Sequence, residues 1–412
     1  MEKLLIHNIG LLATPLGTAA KGGAAQGEVQ FLQGAWVRME DGVISAVGTG
    51  PVAPAADEKC VDAEGCLATP GLVDAHTHLI FGGWRQNELA LKLRGVPYLD
   101  ILAQGGGILS TVTATRAATQ VELGEKAGLA LDEMLAFGTT TCEAKSGYGL
   151  DTAEELKQLR AIRDLNERHP IDLVPTFMGA HALPKEYKEN REAYLRLLCE
   201  EMIPAVAREG LARFCDVFCE TGVFTPEESR RILETGRAHG LQPKIHADEI
   251  DAIGGSQLAG SLGAVSAEHL IVCPPEGIEA MAQGGTIACL LPATSMYLGA
   301  AFAPARAMVN AGVPVAMATD FNPGSCPCLN LQLVMNLGCL RYRLTPEEVL
   351  TAVTLNGAAA IGMAERVGSV EPGKQGDLVL WKAKDLNYIC YRMGSNLVRT
   401  VIKGGTLYER KL

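Results

Sequence analysis

The sequence predicts an α/β protein, a (β/α)8 barrel carrying a small β-domain assembled from both ends of the chain. Three observations lead there. Residues near the two termini alternate in strand fashion. The middle, from about 66 to 365, instead alternates short apolar runs with helical patterns. Eight of those runs suit strands, and eight strands separated by helices over about 300 residues is barrel arithmetic. A doubly wound sheet is the runner-up, but it would want a Gly-rich phosphate loop after the first strand, and GLVDAHTHL has none. The expected division is residues 1–65 with 366–412 for the β-domain and 66–365 for the barrel.

Taken in order, VQFLQGAWVRMEDGVISAVGTG alternates across Asp41-Gly42, a type I′ hairpin signal. The predicted barrel strands are Leu72–Ala75, Thr139–Ala144, Leu173–Gly179, Asp216–Cys219, Lys244–Ala247, Ala264–Ala267, Thr286–Leu291 and Val315–Thr319. Helical patterns between them include Asp151–Arg168 and Pro226–His239, opened with capping-box spacing by Asp151-Thr-Ala-Glu154 and Thr225-Pro-Glu-Glu228. At the far end GDLVLWKAKD and NLVRTVIKGGTLYER return to strand alternation, with Gly404-Gly405 as the turn.

Composition narrows the function. Of 412 residues, 48% are hydrophobic and 20% charged, enough to bury a large core and too apolar for disorder. A net charge of −11 with no basic cluster makes a poor phosphate-backbone binder, and aromatics at 5% give no base-stacking platform, so nucleic acid is not expected as a partner. Twelve dispersed Cys read as reduced, mostly buried thiols. Cys326-Pro-Cys328 and the Cys215/Cys219 pair lack a second pair at zinc-site spacing. No stretch approaches the ~18 apolar residues of a membrane helix. His7 and Asn8 interrupt the N-terminal apolar run, against a signal peptide, so the expectation is a soluble cytoplasmic protein without membrane attachment.

The sharpest local feature is His76-Thr77-His78 after the first barrel strand. Residues i and i+2 of a strand face one way, so both imidazoles can enter one site at the C-terminal face where barrels build active sites. Of eight His, five end apolar runs: His76, His78, His181, His246 and His269. His7 lies in the N-terminal strand, and His169 and His239 close helices. His76, His78 and His246 with Asp320, which ends VAMATD, make a borderline-soft metal's donor set with a position open for water. The competing readings are an N-cap for Asp320 and a core histidine for His246.

Gly71-Leu-Val-Asp-Ala-His-Thr-His, strand-end His246 and His269, late Asp320 and the tail Gly-Asp377-Leu-Val resemble the amidohydrolase superfamily over nearly the whole chain. Within it, five runs in order resemble the imidazolonepropionase family. They are Phe81-Gly-Gly-Trp-Arg85, Gly105-Gly-Gly-Ile-Leu-Ser-Thr111, Lys145-Ser-Gly-Tyr-Gly-Leu150, Gly179-Ala-His-Ala-Leu-Pro184 and Asp320-Phe-Asn-Pro-Gly-Ser325. The resemblance implies a distorted barrel flanked by a β-sandwich from both termini. It also implies a homodimer and one divalent zinc or iron ion per subunit on His76, His78, His246 and Asp320. Lys145, on the second strand rather than the fourth, reads as a structural ion pair and not as the carboxylated lysine of two-metal members. The implied reaction is hydrolysis of 4-imidazolone-5-propanoate to N-formimidoyl-L-glutamate in histidine degradation. Substrate contacts carry over onto Arg85, Tyr148, His181, Glu249, Asn322, Gly324 and Ser325, the last replacing the Thr of many relatives. Trp84 stands where a smaller residue is expected, which bears on the shape of that loop.

The chemistry assigns matching roles. Metal-bound hydroxide would attack, with Asp320 both ligand and proton acceptor. His269 would polarise the ring carbonyl, and Glu249 would carry a proton to a ring nitrogen. The guanidinium fork of Arg85 suits the propanoate, on a loop that Gly82-Gly83 let fold close. Tyr148 would be presented on a flexible glycine loop, and His181 would be a neutral donor to substrate. A nucleobase aminohydrolase is the nearest rival, separated by Arg85 and the Tyr148 loop, which anticipate an anionic tail. A metal-stabilised scaffold is the other, and it has no need of Glu249 and His269.

Overall fold

The computed structural model describes residues 2–95 and 106–409. Strands β1 (Lys3–Pro15), β2 (Val29–Glu40), β3 (Val43–Thr49), β4 (Glu58–Asp62) and β5 (Leu67–Pro70) come from the N-terminal end. The barrel strands follow: β6 (Leu72–Asp74), β7 (Thr139–Lys145), β8 (Asp172–Ala180), β9 (Phe214–Cys219), β10 (Gln242–Ala247), β11 (Ser266–His269), β12 (Ile287–Leu290) and β13 (Val315–Met317). Strands β14 (Leu378–Trp381), β15 (Val398–Lys403) and β16 (Thr406–Glu409) close the chain.

The terminal strands form one mixed sheet ordered β16-β15-β14-β5-β1-β2-β3, with β4 on β1. Both expected hairpins are present. Asp41 and Gly42 take φ of 47° and 78°, and Gly404 and Gly405 take 53° and 76°, the two consecutive left-handed residues a type I′ turn requires. Strand β5 pairs with β1 and β14 although it follows residue 65, so the chain leaves this sheet at Gly71. Lys403 on β15 ties the sheet to the barrel by reaching Asp377 at 2.8 Å and Asp172 at 2.7 Å, the latter at the start of β8.

The eight expected barrel strands are all present and run parallel in the order β6 to β13, with bounds that differ from expectation by a few residues. Parallel strands are buried on both faces, which is why they read as short apolar runs. The ring closes at its top rather than along full ladders. Thr77 bridges Phe321, the His78 N–H donates to the Phe321 carbonyl at 2.9 Å, and the Asp320 N–H donates to His76 at 3.0 Å. This closure holds the segment after β13 beside the segment after β6, so the His76 and Asp320 loops are joined by backbone bonds.

The expected helices form at Thr152–Asn166 and Pro226–Ala238. Thr225 and Glu228 complete a capping box, whereas Asp151 makes only half of one. Its side chain accepts from the Glu154 N–H, but the Glu154 carboxylate turns to Lys157. All twelve cysteines are free thiols, and nine are buried. No helix among the described residues is long and apolar enough to cross a membrane.

Candidate active site and metal centre

The strand-end residues converge at the C-terminal face of the barrel. His76 Nε2 lies 3.5 Å from Asp320 Oδ1, His78 Nε2 lies 3.6 Å from the same oxygen, and His246 Nε2 lies 3.4 Å from His78 Nε2. A tetrahedral ion bound at about 2.0–2.1 Å sets its ligand atoms about 3.3–3.4 Å apart, so these separations fit one cation. His76 Nε2 and Asp320 Oδ1 are buried and lack hydrogen-bond partners, which is costly unless something positive sits between them. The donor set therefore fits the ion that the sequence implies. His269 stands with His76 and His246, with ligand atoms within 4.8 Å of one another.

Two of the three ligand imidazoles set their other ring nitrogen against a carboxylate. His76 Nδ1 faces Glu268 Oε2 at 2.9 Å, and His246 Nδ1 faces Asp216 Oδ1 at 3.1 Å. A carboxylate there fixes the Nδ1–H tautomer and turns the Nε2 lone pair inward. Burial foremost holds His76 and His78 well below the ordinary imidazole range, so both are neutral and able to ligate. Asp320 has φ 55°, in the left-handed region, and its Oδ2 accepts from Thr294 Oγ1 at 2.7 Å, which leaves Oδ1 for the centre. Burial raises its carboxyl pKa.

Glu249 and His269 face each other with Oε2 and Nε2 3.6 Å apart. Burial pushes the Glu249 carboxyl up to about 7 and the His269 imidazole down to about 4. Glu220, at the end of β9, accepts the backbone N–H groups of Glu249, Ile250 and Asp251 at 3.1, 2.9 and 3.1 Å. One carboxylate thus sets the loop that presents Glu249.

Arg85 and Gly324 meet directly. A Cβ on Gly324 would fall 1.0 Å from Arg85 Nη2, so the guanidinium occupies the space glycine leaves. Gly82 and Gly83 let this loop press on the helix Ile108–Ala117, where a Cβ on Gly82 would sit 2.3 Å from the Ala114 carbonyl. Trp84 is accommodated at the surface, edge-on to Phe81 with centroids 4.9 Å apart. Asn322 organises its own loop: its Oδ1 accepts from Gly324 N, Ser325 N, Ser325 Oγ and Cys326 N, and its Nδ2 donates to the Asp320 carbonyl.

Two expectations change. The Tyr148 loop is pinned rather than flexible, because Glu155 accepts from the N–H groups of Gly149 and Leu150, both at 2.8 Å, and Gln158 accepts from that of Tyr148 at 3.1 Å. His181 is not poised as a donor. Its Nδ1 faces the Gly147 carbonyl at 3.0 Å, which can only accept, and burial foremost lowers its pKa to about 3. The neutral ring, stacked on His78 at 4.7 Å, therefore presents Nε2 as an acceptor. Lys145 does lie in an ion pair, 2.7 Å from Asp216 and 2.8 Å from Glu143. Gly105, the first residue of one motif run, lies outside the described residues.

Sequence reasoning missed Glu268, Asp216, Thr294 and Glu220. The available signal was a carboxylate inside or ending an apolar strand, as in Ser-Ala-Glu268-His269 and Cys-Asp216-Val-Phe.

Comparison with known proteins places the chain. The amidohydrolase family profile matches residues 67–407. The imidazolonepropionase of Alkaliphilus metalliredigens is 52% identical over 417 residues, covering 100% of this chain and 99% of its own. That of Brevibacillus brevis is 52% identical over 407 residues, covering 96% of each. Among solved structures, a triazine hydrolase variant superposes with a TM-score of 0.74 at 18% identity, over 99% of this chain and 94% of its own. An adenosine deaminase from Xanthomonas campestris with bound zinc gives 0.70 at 21%, over 98% and 92%. The last two support the fold alone. With a family profile across most of its length and half its residues shared with full-length relatives, the chain belongs to the amidohydrolase family, among its imidazolonepropionases.

Proposed function

We propose that the protein hydrolyses the cyclic amide C–N bond of 4-imidazolone-5-propanoate, giving N-formimidoyl-L-glutamate. The observation that carries the substrate is the 52% identity across the whole chain to proteins named imidazolonepropionase. The geometry supports the same chemistry. His76, His78, His246 and Asp320 would hold one zinc or iron ion, which when bound supplies Lewis-acid activation of water near neutral pH.

The chain's own groups do the rest. Asp320, its Oδ2 fixed by Thr294 and its pKa raised by burial, accepts the proton of the attacking water. His269 stabilises the developing negative charge on the carbonyl oxygen. Glu249, at about 7, passes a proton to the leaving ring nitrogen, since a group near the working pH can both hold and release one. Arg85 binds the propanoate tail, while Gly324 and the Asn322-organised loop with Ser325 shape its seat. Tyr148 and His181 line the side of the site next to His78. We place the enzyme in the cytoplasm as a homodimer on the family resemblance, and a monomer mass in sedimentation equilibrium would refute the dimer.

The test is product analysis. Incubation with 4-imidazolone-5-propanoate is expected to yield N-formimidoyl-L-glutamate without ammonia. Ammonia released from a cytosine, guanine or adenine ring, with no turnover of the imidazolone, would refute the assignment in favour of a deaminase.

A further inference from the structure

Below the metal centre the barrel interior holds charges where barrels usually hold Val, Ile and Leu. Glu268, which faces His76, turns its other oxygen to Lys244 at 3.3 Å. Lys244 lies 2.7 Å from one oxygen of Glu143, and Lys145 lies 2.8 Å from the other. Lys145 then reaches Asp216 Oδ2 at 2.7 Å, and Asp216 Oδ1 faces His246. The chain of contacts thus runs from one ligand imidazole to another, alternating in sign, and all five charged side chains are fully buried.

The register explains how it is built. Glu143 and Lys145 are i and i+2 on β7, and Lys244 and His246 are i and i+2 on β10, so each pair points into the barrel in successive layers. Glu268 comes from β11 and Asp216 from β9, on either side of β10. Buried ions are costly unless each is shared between partners, and here every carboxylate and both ammonium groups are. The third imidazole, His78, is outside the chain: its Nδ1 is buried without a hydrogen-bond partner.

We propose that Glu143, Lys145 and Lys244 are positioning residues that couple Glu268 to Asp216 and so orient His76 and His246 as one unit for the cation. Glu143 is the keystone, because among the described residues it is the carboxylate that pairs with both lysines, and no contact joins it to a ligand imidazole there. The proposal rests on the metal reading above. It predicts that a change at Glu143, three contacts from either ligand imidazole and four from the ion, alters how the ion is held.

The experiment uses the full-length protein stripped of metal and titrated with zinc(II) against a chromophoric chelator, and separately loaded with cobalt(II) for its visible spectrum. In Glu143→Gln, zinc affinity is expected to fall about tenfold or more, as outer partners of ligating histidines do when removed. The cobalt bands, which report ligand geometry, should shift. A folded Glu143→Gln variant with wild-type zinc affinity and cobalt spectrum would overturn the proposal. If that variant is not recovered folded, Thr176→Val is read instead, since it removes only the hydroxyl donating to Glu143 at 2.6 Å. A loss of affinity of about threefold or more would then support the relay, and unchanged affinity would overturn it. Wild-type protein that binds neither ion would refute the metal centre itself, a result distinct from failure in the variants alone.

Discussion

The contact between Gly324 and Arg85 makes a substitution whose effect on catalysis should far exceed its effect on stability. In Gly324→Ala the new methyl would lie 1.0 Å from Arg85 Nη2, 1.8 Å from Cζ and 2.2 Å from Nε. Carbon contacts settle at about 3.5–4.0 Å, so the guanidinium must retreat by about 2.5 Å. Gly324 is not among the glycines with positive φ, so alanine adds no backbone strain, and the displaced atoms end a flexible side chain. Tm should therefore stay close to wild type. If Arg85 grips the propanoate, losing that charged pair costs about 2–5 kcal/mol of transition-state binding. At 1.36 kcal/mol per decade this is about 30-fold to several thousand-fold in kcat/KM. Steady-state kinetics on 4-imidazolone-5-propanoate provide the assay, run in wild-type and Arg85→Met backgrounds. The glycine substitution should be nearly silent once Arg85 is gone. A kcat/KM within about threefold of wild type would refute the reasoning, as would a full loss that persists without Arg85.

Three further outcomes are expected. Asp320→Asn keeps the Thr294 hydroxyl but loses the carboxylate, so it should lose bound metal, turnover or both; a fully active, metal-replete variant would remove Asp320 as proton acceptor. Glu249, raised by burial from 4.5 to about 7, binds its proton more tightly when folded, so in metal-free protein it withdraws stability as pH rises from 4.5 to about 7. Glu249→Gln should then stabilise metal-free protein at pH 8 by at most about 3 kcal/mol, less for screening of the side chain's 15% exposure, with no gain near pH 4. Urea unfolding at the two pH values checks this, and a gain confined to the acid side would contradict the sign. Glu220→Ala leaves three N–H groups of the 249–251 loop without their acceptor, at about 1–3 kcal/mol for each one that stays buried. It should depress kcat while leaving zinc affinity near wild type, and unchanged kcat would show that the loop holds itself.

The eight barrel strands were legible because parallel strands buried on both faces leave apolar runs in the sequence, and helical patterns separate them. Strand ends were less so, since polar site residues such as His269 interrupt the apolar pattern at the functional end. The ligand set was legible for a related reason: imidazoles ending apolar runs are conspicuous among eight histidines. Their supports were not. His76 and Glu268 are 192 residues apart, and His246 and Asp216 are 30 apart, so only the closed barrel brings them together. The Tyr148 loop read as flexible from its flanking glycines, but flexibility was decided by Glu155 and Gln158 on the following helix. The reversal at His181 turns on one carbonyl, that of Gly147, whose position no local pattern announces.

The proposed activity turns on metal-dependent opening of an imidazolone ring at the strand-end cluster. Ultraviolet absorbance of freshly prepared 4-imidazolone-5-propanoate with purified enzyme, before and after chelation and again after zinc is restored, tests it most directly. Loss of the imidazolone band without ammonia release is expected, abolished by chelation and recovered with zinc. Undiminished turnover by protein shown to be free of metal, or no turnover by metal-replete protein, would contradict it.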